Sequence, residues 1–323
     1  MSMDTNKKTN TGLRTGLILL LVGAALFLLA SALLGFDYKK LDVHEYVTHT
    51  LTPEGDFTSI RINDSTADIA FVITDGGPCR IECFDVANEK HTAEIKHGEL
   101  VVTRPHKRNW YDFLDLRLRQ VTITLYLPGQ AYENLTIDNS TGDIKLSGRV
   151  GFEQADIGLS TGSVLIDGMR FSSLRLKNST GDVTFKNVSA DRTEVSLTTG
   201  DVTFENVAGG DMRIGTTTGH ITMSGVTGKS LTACATTGKV KLKDVLCDVR
   251  MDVETDTGDI SLLSCDAPSI RLTADTGDIE GSILSPKIFS ASSDTGSVHV
   301  PRSKEGGECV IETNTGDIDI TAP

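Results

Sequence analysis

The residue types best suited to chemistry are aspartates that recur at two fixed places. Asp143, Asp182, Asp201, Asp259, Asp278 and Asp317 each directly follow a Thr-Gly dipeptide. Two residues before the glycines, where earlier copies carry Ser or Thr, stand Asp256, Asp275 and Asp294. Calcium takes about six to eight oxygen ligands, which stacked carboxylates can supply. Asp256, Asp259, Asp275, Asp278 and Asp294 are therefore a candidate calcium site. The competing reading is that aspartate is a common turn residue bonded to nearby backbone. The glycine-rich nonapeptide of calcium-binding β-rolls is also missing. No other cofactor is implied.

The elements that hold these aspartates follow from the dipeptide itself. Ten Thr-Gly copies place glycines at Gly142, Gly162, Gly181, Gly200, Gly219, Gly238, Gly258, Gly277, Gly296 and Gly316, in steps of 19 or 20 residues. A fixed period of this size means one short unit stacked many times. Apolar residues fall seven and five positions before the glycines and two and four after them, with Thr193 and Gly281 as the exceptions. In the first copy these are Leu135, Ile137, Ile144 and Leu146. Each flank alternates with period two, as a half-buried strand does. The step from minus five to plus two is odd, so the in/out phase changes across the dipeptide. Thr-Gly must be a corner, its glycine supplying a conformation that side chains disfavour. A second bend falls near Ser147-Gly-Arg and its equivalents. The fold expected is all-β, a parallel β-helix or β-solenoid of about ten coils over 131–323.

Residues 50–130 read as an irregular capping region of the same fold. Strands are expected at Phe57–Ile62, near Arg80–Phe84, at Glu99–Thr103 and at Val121–Leu127, and Ala67 stands where a corner glycine would. The stretch Arg104–Arg119, basic and aromatic around Trp110, is expected to be a loop over the end of the solenoid, with contact to lipid headgroups or a partner as the alternative. Terminal repeats are atypical because one face must be closed off. At the other end, the strand Ile318–Ile320 is expected to be an exposed edge, blocked only by Asp317, Asp319 and Pro323.

Residues 16–36 carry no charged side chain, and as a helix they span roughly 30 Å, the thickness of a bilayer's hydrocarbon. Lys7, Lys8 and Arg14 precede the run, which favours a cytoplasmic 1–15, a transmembrane helix at 16–36, a linker at 37–49 and an extracytoplasmic remainder. Ala30-Ser31-Ala32 leaves a cleaved signal peptide as the rival. The formal charge of −13 argues against a nucleic-acid binder.

Six cysteines, at 79, 83, 234, 247, 265 and 309, show no zinc-finger spacing. Buried thiols are the default, with a Cys234–Cys247 disulfide across one coil as the open alternative. The seven histidines are scattered along the chain, and the near-uniform coils show no cluster of His, Arg and acids of the kind a polysaccharide-degrading β-helix would need. Catalysis is not expected.

The reiterated STGDI/STGDV corner, the degenerate lead-in and the apolar N-terminal run resemble the DUF4097 family of bacterial putative adhesins, over roughly residues 50–323. The resemblance implies a β-helix-like ectodomain in the cell envelope and brings no catalytic residues. His220 and Lys239 depart from the usual Asp or Ser after the glycine. The function expected is a non-catalytic binding or scaffold module, tethered to the membrane through 16–36 and facing an envelope protein or a cell-wall or surface polymer. The alternatives are a sensor or accessory component of envelope signalling and, more remotely, a polysaccharide-active enzyme.

Overall fold

The structure is a computed structural model that describes residues 9–33, 35, 44–105 and 119–323. Two units are distinct, and the first contains helix α1, Thr9–Leu33. Its side chains from Leu17 to Leu29 are more than half exposed wherever they are large and apolar. Among the described residues no helix is long and apolar enough to cross a membrane. The helix expected at 16–36 is thus present in part, and its span of a bilayer is not supported. Residues 1–8 and 36–43 lie outside the described residues, as does 106–118 with Trp110, so the expectations placed on them do too.

The second unit is the solenoid. From Ala131 onward each coil is a long strand, the Thr-Gly corner and a short strand. In the second coil these are Gly151–Thr161 and Val164–Asp167. Equivalent strands pair in parallel, in register, and with the same columns coil after coil: Ile157 lies between Ile137 and Leu176, and Ile166 between Leu146 and Phe185. The four apolar columns read from the sequence are buried in every coil but the ninth, with one further gap at Gly281. Two aromatic stacks run inside: Phe57, Tyr132, Phe152 and Phe171 at centroid spacings of 5.3–6.2 Å, and Phe185 on Phe204 at 4.8 Å. Stacking buries what no single coil could bury alone.

At the N-terminal end the chain doubles back. Strands β1 (Tyr46–Leu51), β2 (Ser59–Asp64), β3 (Asp68–Thr74), β4 (Arg80–Val86), β5 (Thr92–Lys96), β6 (Glu99–Thr103) and β7 (Thr122–Pro128) build it. β2 and β3 form a coil that stacks on the first Thr-Gly coil, with Ala67 at its corner as expected. β6 and β7 stack outside them in parallel. Antiparallel β5 then covers β6, and β4 and β1 extend β7. These reversals cap the parallel stack.

The C-terminal end departs from the expectation. The tenth coil (Gly307–Thr315 and Ile318–Thr321) does not end the stack. It lies between the eighth (Ser269–Thr276, Ile279–Ile283) and the ninth (Lys287–Thr295, Val298–His299). The exposed edge is the ninth coil, and Ile318 and Asp319 are paired on both sides. Inward residues explain the order. The tenth coil carries Cys309, Ile311, Ile318 and Ile320, all buried, whereas the ninth carries Phe289, Ala291, Val298 and Val300, only partly covered or exposed. The more apolar coil takes the position with two neighbours.

Candidate functional site

The corner column explains why glycine recurs. Its glycines have φ between +126° and +154°, a region L side chains rarely adopt. A Cβ on any of them would also overlap a backbone carbonyl oxygen of the preceding rung, that of Ala67 for Gly142 and of the neighbouring glycine elsewhere. The glycine N–H donates to the threonine carbonyl of the next rung, as Gly162 does to Thr180 at 2.9 Å. Corner backbones are therefore in direct contact from rung to rung.

The aspartates after the glycines act between rungs. Asp143 Oδ1 accepts the N–H of Ser163 at 2.8 Å, Asp182 that of Asp201 at 2.9 Å, and Asp201 that of His220 at 2.7 Å. Asp259 accepts from Asp278 at 3.2 Å, Asp278 from Asp317 at 2.8 Å, and Asp317 from Ser297 at 2.7 Å. His220 takes the same role with Nδ1, accepting from Lys239 at 2.9 Å. Lys239 has no acceptor to offer, and its ammonium instead meets Asp259 at 2.7 Å. That lysine holds the Asp259 carboxyl below the usual range.

Of the five aspartates expected to form a calcium site, the structure brings together fewer than the chain order implies. Asp259 and Asp278 are neighbours, each engaged as above. Asp256 and Asp275 occupy adjacent rungs and are exposed. Asp294 is not next to Asp275, because the inserted tenth coil puts Asn314 between them, its Nδ2 3.4 Å from Asp275 Oδ1. Asp278→Ala is expected to lower stability by about 1 kcal/mol, the worth of one such hydrogen bond, and Asp278→Asn by clearly less. Urea denaturation of the two variants measures this. Millimolar calcium should leave the melting temperature of the wild type unchanged.

Three residues before each glycine lies a further column, outside the four apolar ones legible in the sequence. It points inward and alternates polar with apolar: Asn139, Leu159, Asn178, Leu197, Thr216, Ala235, Thr255 and Ala274. The polar members bond corner carbonyls. Asn178 donates to Gly162 at 2.8 Å, Thr216 to Gly200 at 3.1 Å and Thr255 to Gly238 at 3.0 Å. That alternation was the available signal.

In the capping coil the same column holds a charge, Asp64, paired in register with Asn139. Around it gather residues far apart in sequence. Arg104, one residue beyond the Thr103–Asn63 pair, brings Nε to 3.0 Å from Asp64 Oδ2. His91 lies between two carboxylates, Nε2 2.9 Å from Asp64 and Nδ1 2.6 Å from Asp85. Asp85 also accepts the His91 N–H at 2.8 Å and faces His49 Nε2 at 2.7 Å. The side chains of His91 and Asp85 are fully buried. With a carboxylate at each ring nitrogen, His91 is placed to hold a proton on both. Burial opposes its charge, but the hydrogen bonds to Asp64 and Asp85 prevail and raise its pKa. Burial likewise pushes Asp64 up, yet His91, Arg104 and the Thr66 N–H hold it at about 2. The histidines that looked scattered thus converge in part, in the cap rather than in the array.

All six cysteines are free, so no Cys234–Cys247 disulfide is present. Strand register pairs Cys234 with Glu254 and Cys247 with Gly228. Burial pushes the Cys247 and Cys309 thiols up to about 12.

Outward faces carry rows rather than a cleft. On the short-strand side a groove of about 600 Å³ runs over the later coils, walled by Thr222, Lys241, Lys243, Ser261, Glu280 and Asp319. Leu263, 53 % exposed, lies along it.

A model of the Toastrack DUF4097 family matches residues 57–245. No curated protein matches the chain at a significant level. Among solved structures, a putative adhesin from Bacteroides fragilis NCTC 9343 is 11 % identical, covering 87 % of this chain and 99 % of its own, with a TM-score of 0.45. A putative lipid binding protein from Parabacteroides distasonis ATCC 8503 is 12 % identical, covering 86 % and 97 %, with a TM-score of 0.40.

Proposed function

This chain belongs to the Toastrack DUF4097 family, and from that premise we propose that it is a non-catalytic binding or scaffold module of the bacterial cell envelope. One observation carries the reading. The corner residues that the repeat reiterates, threonine and glycine in all ten copies and aspartate in six, are occupied in rung-to-rung contacts, which leaves the long outward rows as the surface that varies. The groove walled by Lys241, Lys243, Glu280 and Asp319 sets charged tips and hydroxyls along a mostly apolar surface. Such a surface suits an extended polymer of the cell wall or surface whose units present both apolar and polar faces. The apolar run at 16–36 supports a tether in the membrane, with the solenoid outside the cytoplasm.

Residues 46–323, added to isolated cell-wall material, should sediment with it. Lys241→Glu combined with Lys243→Glu should reduce the retained fraction several-fold without changing the melting temperature. A wild-type solenoid that stays wholly in the supernatant would sink the binding reading. Deleting 9–33 should move the protein from the membrane to the soluble fraction, which tests the tether separately.

A further inference from the structure

We propose that His49, Cys83 and Asp85 form a site for one divalent metal ion of the zinc class, at the seam between β1 and β4. Their ligand atoms, imidazole nitrogen, thiol sulfur and carboxylate oxygen, all lie within 4.8 Å of one another. It is the one such grouping of His, Cys, Asp and Glu side chains among the described residues. The register of the two strands creates it. His49 is the direct cross-strand partner of Cys83, and Asp85 stands two residues further along β4, on the same face as Cys83.

The donor set selects the ion. A thiolate together with an imidazole and a carboxylate suits zinc and its neighbours and is poor for calcium or magnesium, which prefer oxygen alone. Zinc bonds of about 2.0–2.3 Å at tetrahedral angles set the nitrogen–oxygen separation near 3.3 Å and the nitrogen–sulfur separation near 3.5 Å. His49 Nε2 and Asp85 Oδ2 are now 2.7 Å apart, so the pair would open by about 0.6 Å to admit the ion in place of the shared proton. The Cys83 proton leaves to solvent as its sulfur binds, and the neutral imidazole keeps its proton on Nδ1. A water molecule completes the fourth position.

Access and orientation both fit. Asp85 is fully buried, while the His49 side chain is 19 % exposed, so the ion enters past the histidine ring. Asp85 is aimed by a partner on its other oxygen, because His91 Nδ1 holds Oδ1 at 2.6 Å. Second contacts of this kind orient metal ligands and raise affinity. The charges of the adjoining network are His91, Asp64 and Arg104, together one positive, while the ion's own two charges balance the Cys83 and Asp85 anions. Of the six cysteines, only Cys83 has both a histidine and an aspartate beside it in this way among the described residues. The inference stands apart from the binding role of the array.

Calorimetric titration of the full chain, reduced and freed of metal, tests it with zinc chloride, and cobalt chloride supplies a spectroscopic readout. One zinc per chain should bind, with a rise in melting temperature. Cobalt should give the absorption of thiolate-to-metal charge transfer. Cys83→Ser should abolish that band, and His49→Ala should weaken zinc binding by at least about 10–100-fold, the size known even for losses outside the ligand set. Where Cys83→Ser unfolds the cap, His49→Ala, on a ring that already meets solvent, decides the matter alone. No uptake by the wild type, or uptake equally tight in His49→Ala, overturns the site.

Discussion

Gly238→Ala is expected to destabilise the solenoid by about 3 kcal/mol or more, a large share of the stability of any single domain. Two effects add at this position. Its φ of +152° is one that an alanine adopts only under strain. A Cβ there would overlap the carbonyl oxygen of Gly219 in the rung below, so the two corners must move apart. Separating them weakens the hydrogen bond from the Gly238 N–H to Thr257, now 2.9 Å, and the Thr255 hydroxyl bond to the Gly238 carbonyl at 3.0 Å. Gly158→Ala is the control. That glycine lies mid-strand with ordinary φ, and its nearest contacts for a Cβ are at 3.8 Å. Alanine there should be neutral or stabilising by about 0.5–1 kcal/mol, through reduced freedom of the unfolded chain. Urea titration of both variants compares them. Equal midpoints for Gly238→Ala and Gly158→Ala would refute the account of the corner.

His91→Leu should cost the N-terminal cap about 3–5 kcal/mol. Removing one member of a buried ionic network leaves the others uncompensated, here Asp64 and Asp85 against an apolar side chain. The difference from wild type also has a defined pH dependence. The raised pKa of His91 contributes stability that is fully present below its unfolded value of about 6.5 and is lost as pH climbs through the folded value. Asp64 runs the other way. Its pKa of about 2 contributes stability present above the unfolded value near 4, worth about 2 kcal/mol, and lost as pH falls towards 2. The cap should therefore be most stable between about pH 4 and 6.5. Hydrogen exchange at amides of β2 and β6, followed across that range in both proteins, measures it. A flat pH profile in the wild type would show that His91 is neutral and the network differently protonated.

Sequence alone determined the coil. Period-two alternation is a local property of a strand, and a phase change across glycine is a local property of a corner. The inward columns, such as Leu135, Ile137, Ile144 and Leu146, could therefore be read one copy at a time. Strands at Arg80 and Glu99 were legible in the same way, and β6 matches its expected bounds. The role of the corner aspartates was half legible. Their turn position was evident, but the N–H they accept belongs to a rung about 19 residues away and not to their own backbone. Tertiary structure alone decided two further matters. The chain from the eighth coil onward has the same repeat spacing whichever rung comes next, so spacing could not say that the tenth coil lies inside the ninth. Burial decided it, because Ile311 and Ile318 are flanked on both sides where Ala291 and Val298 are flanked on one. Asp64, Asp85, His91 and Arg104 likewise carry no common period. They meet because antiparallel strands fold the cap back over β2 and β6. A buried charge demands partners, and only the folded chain brings them within reach.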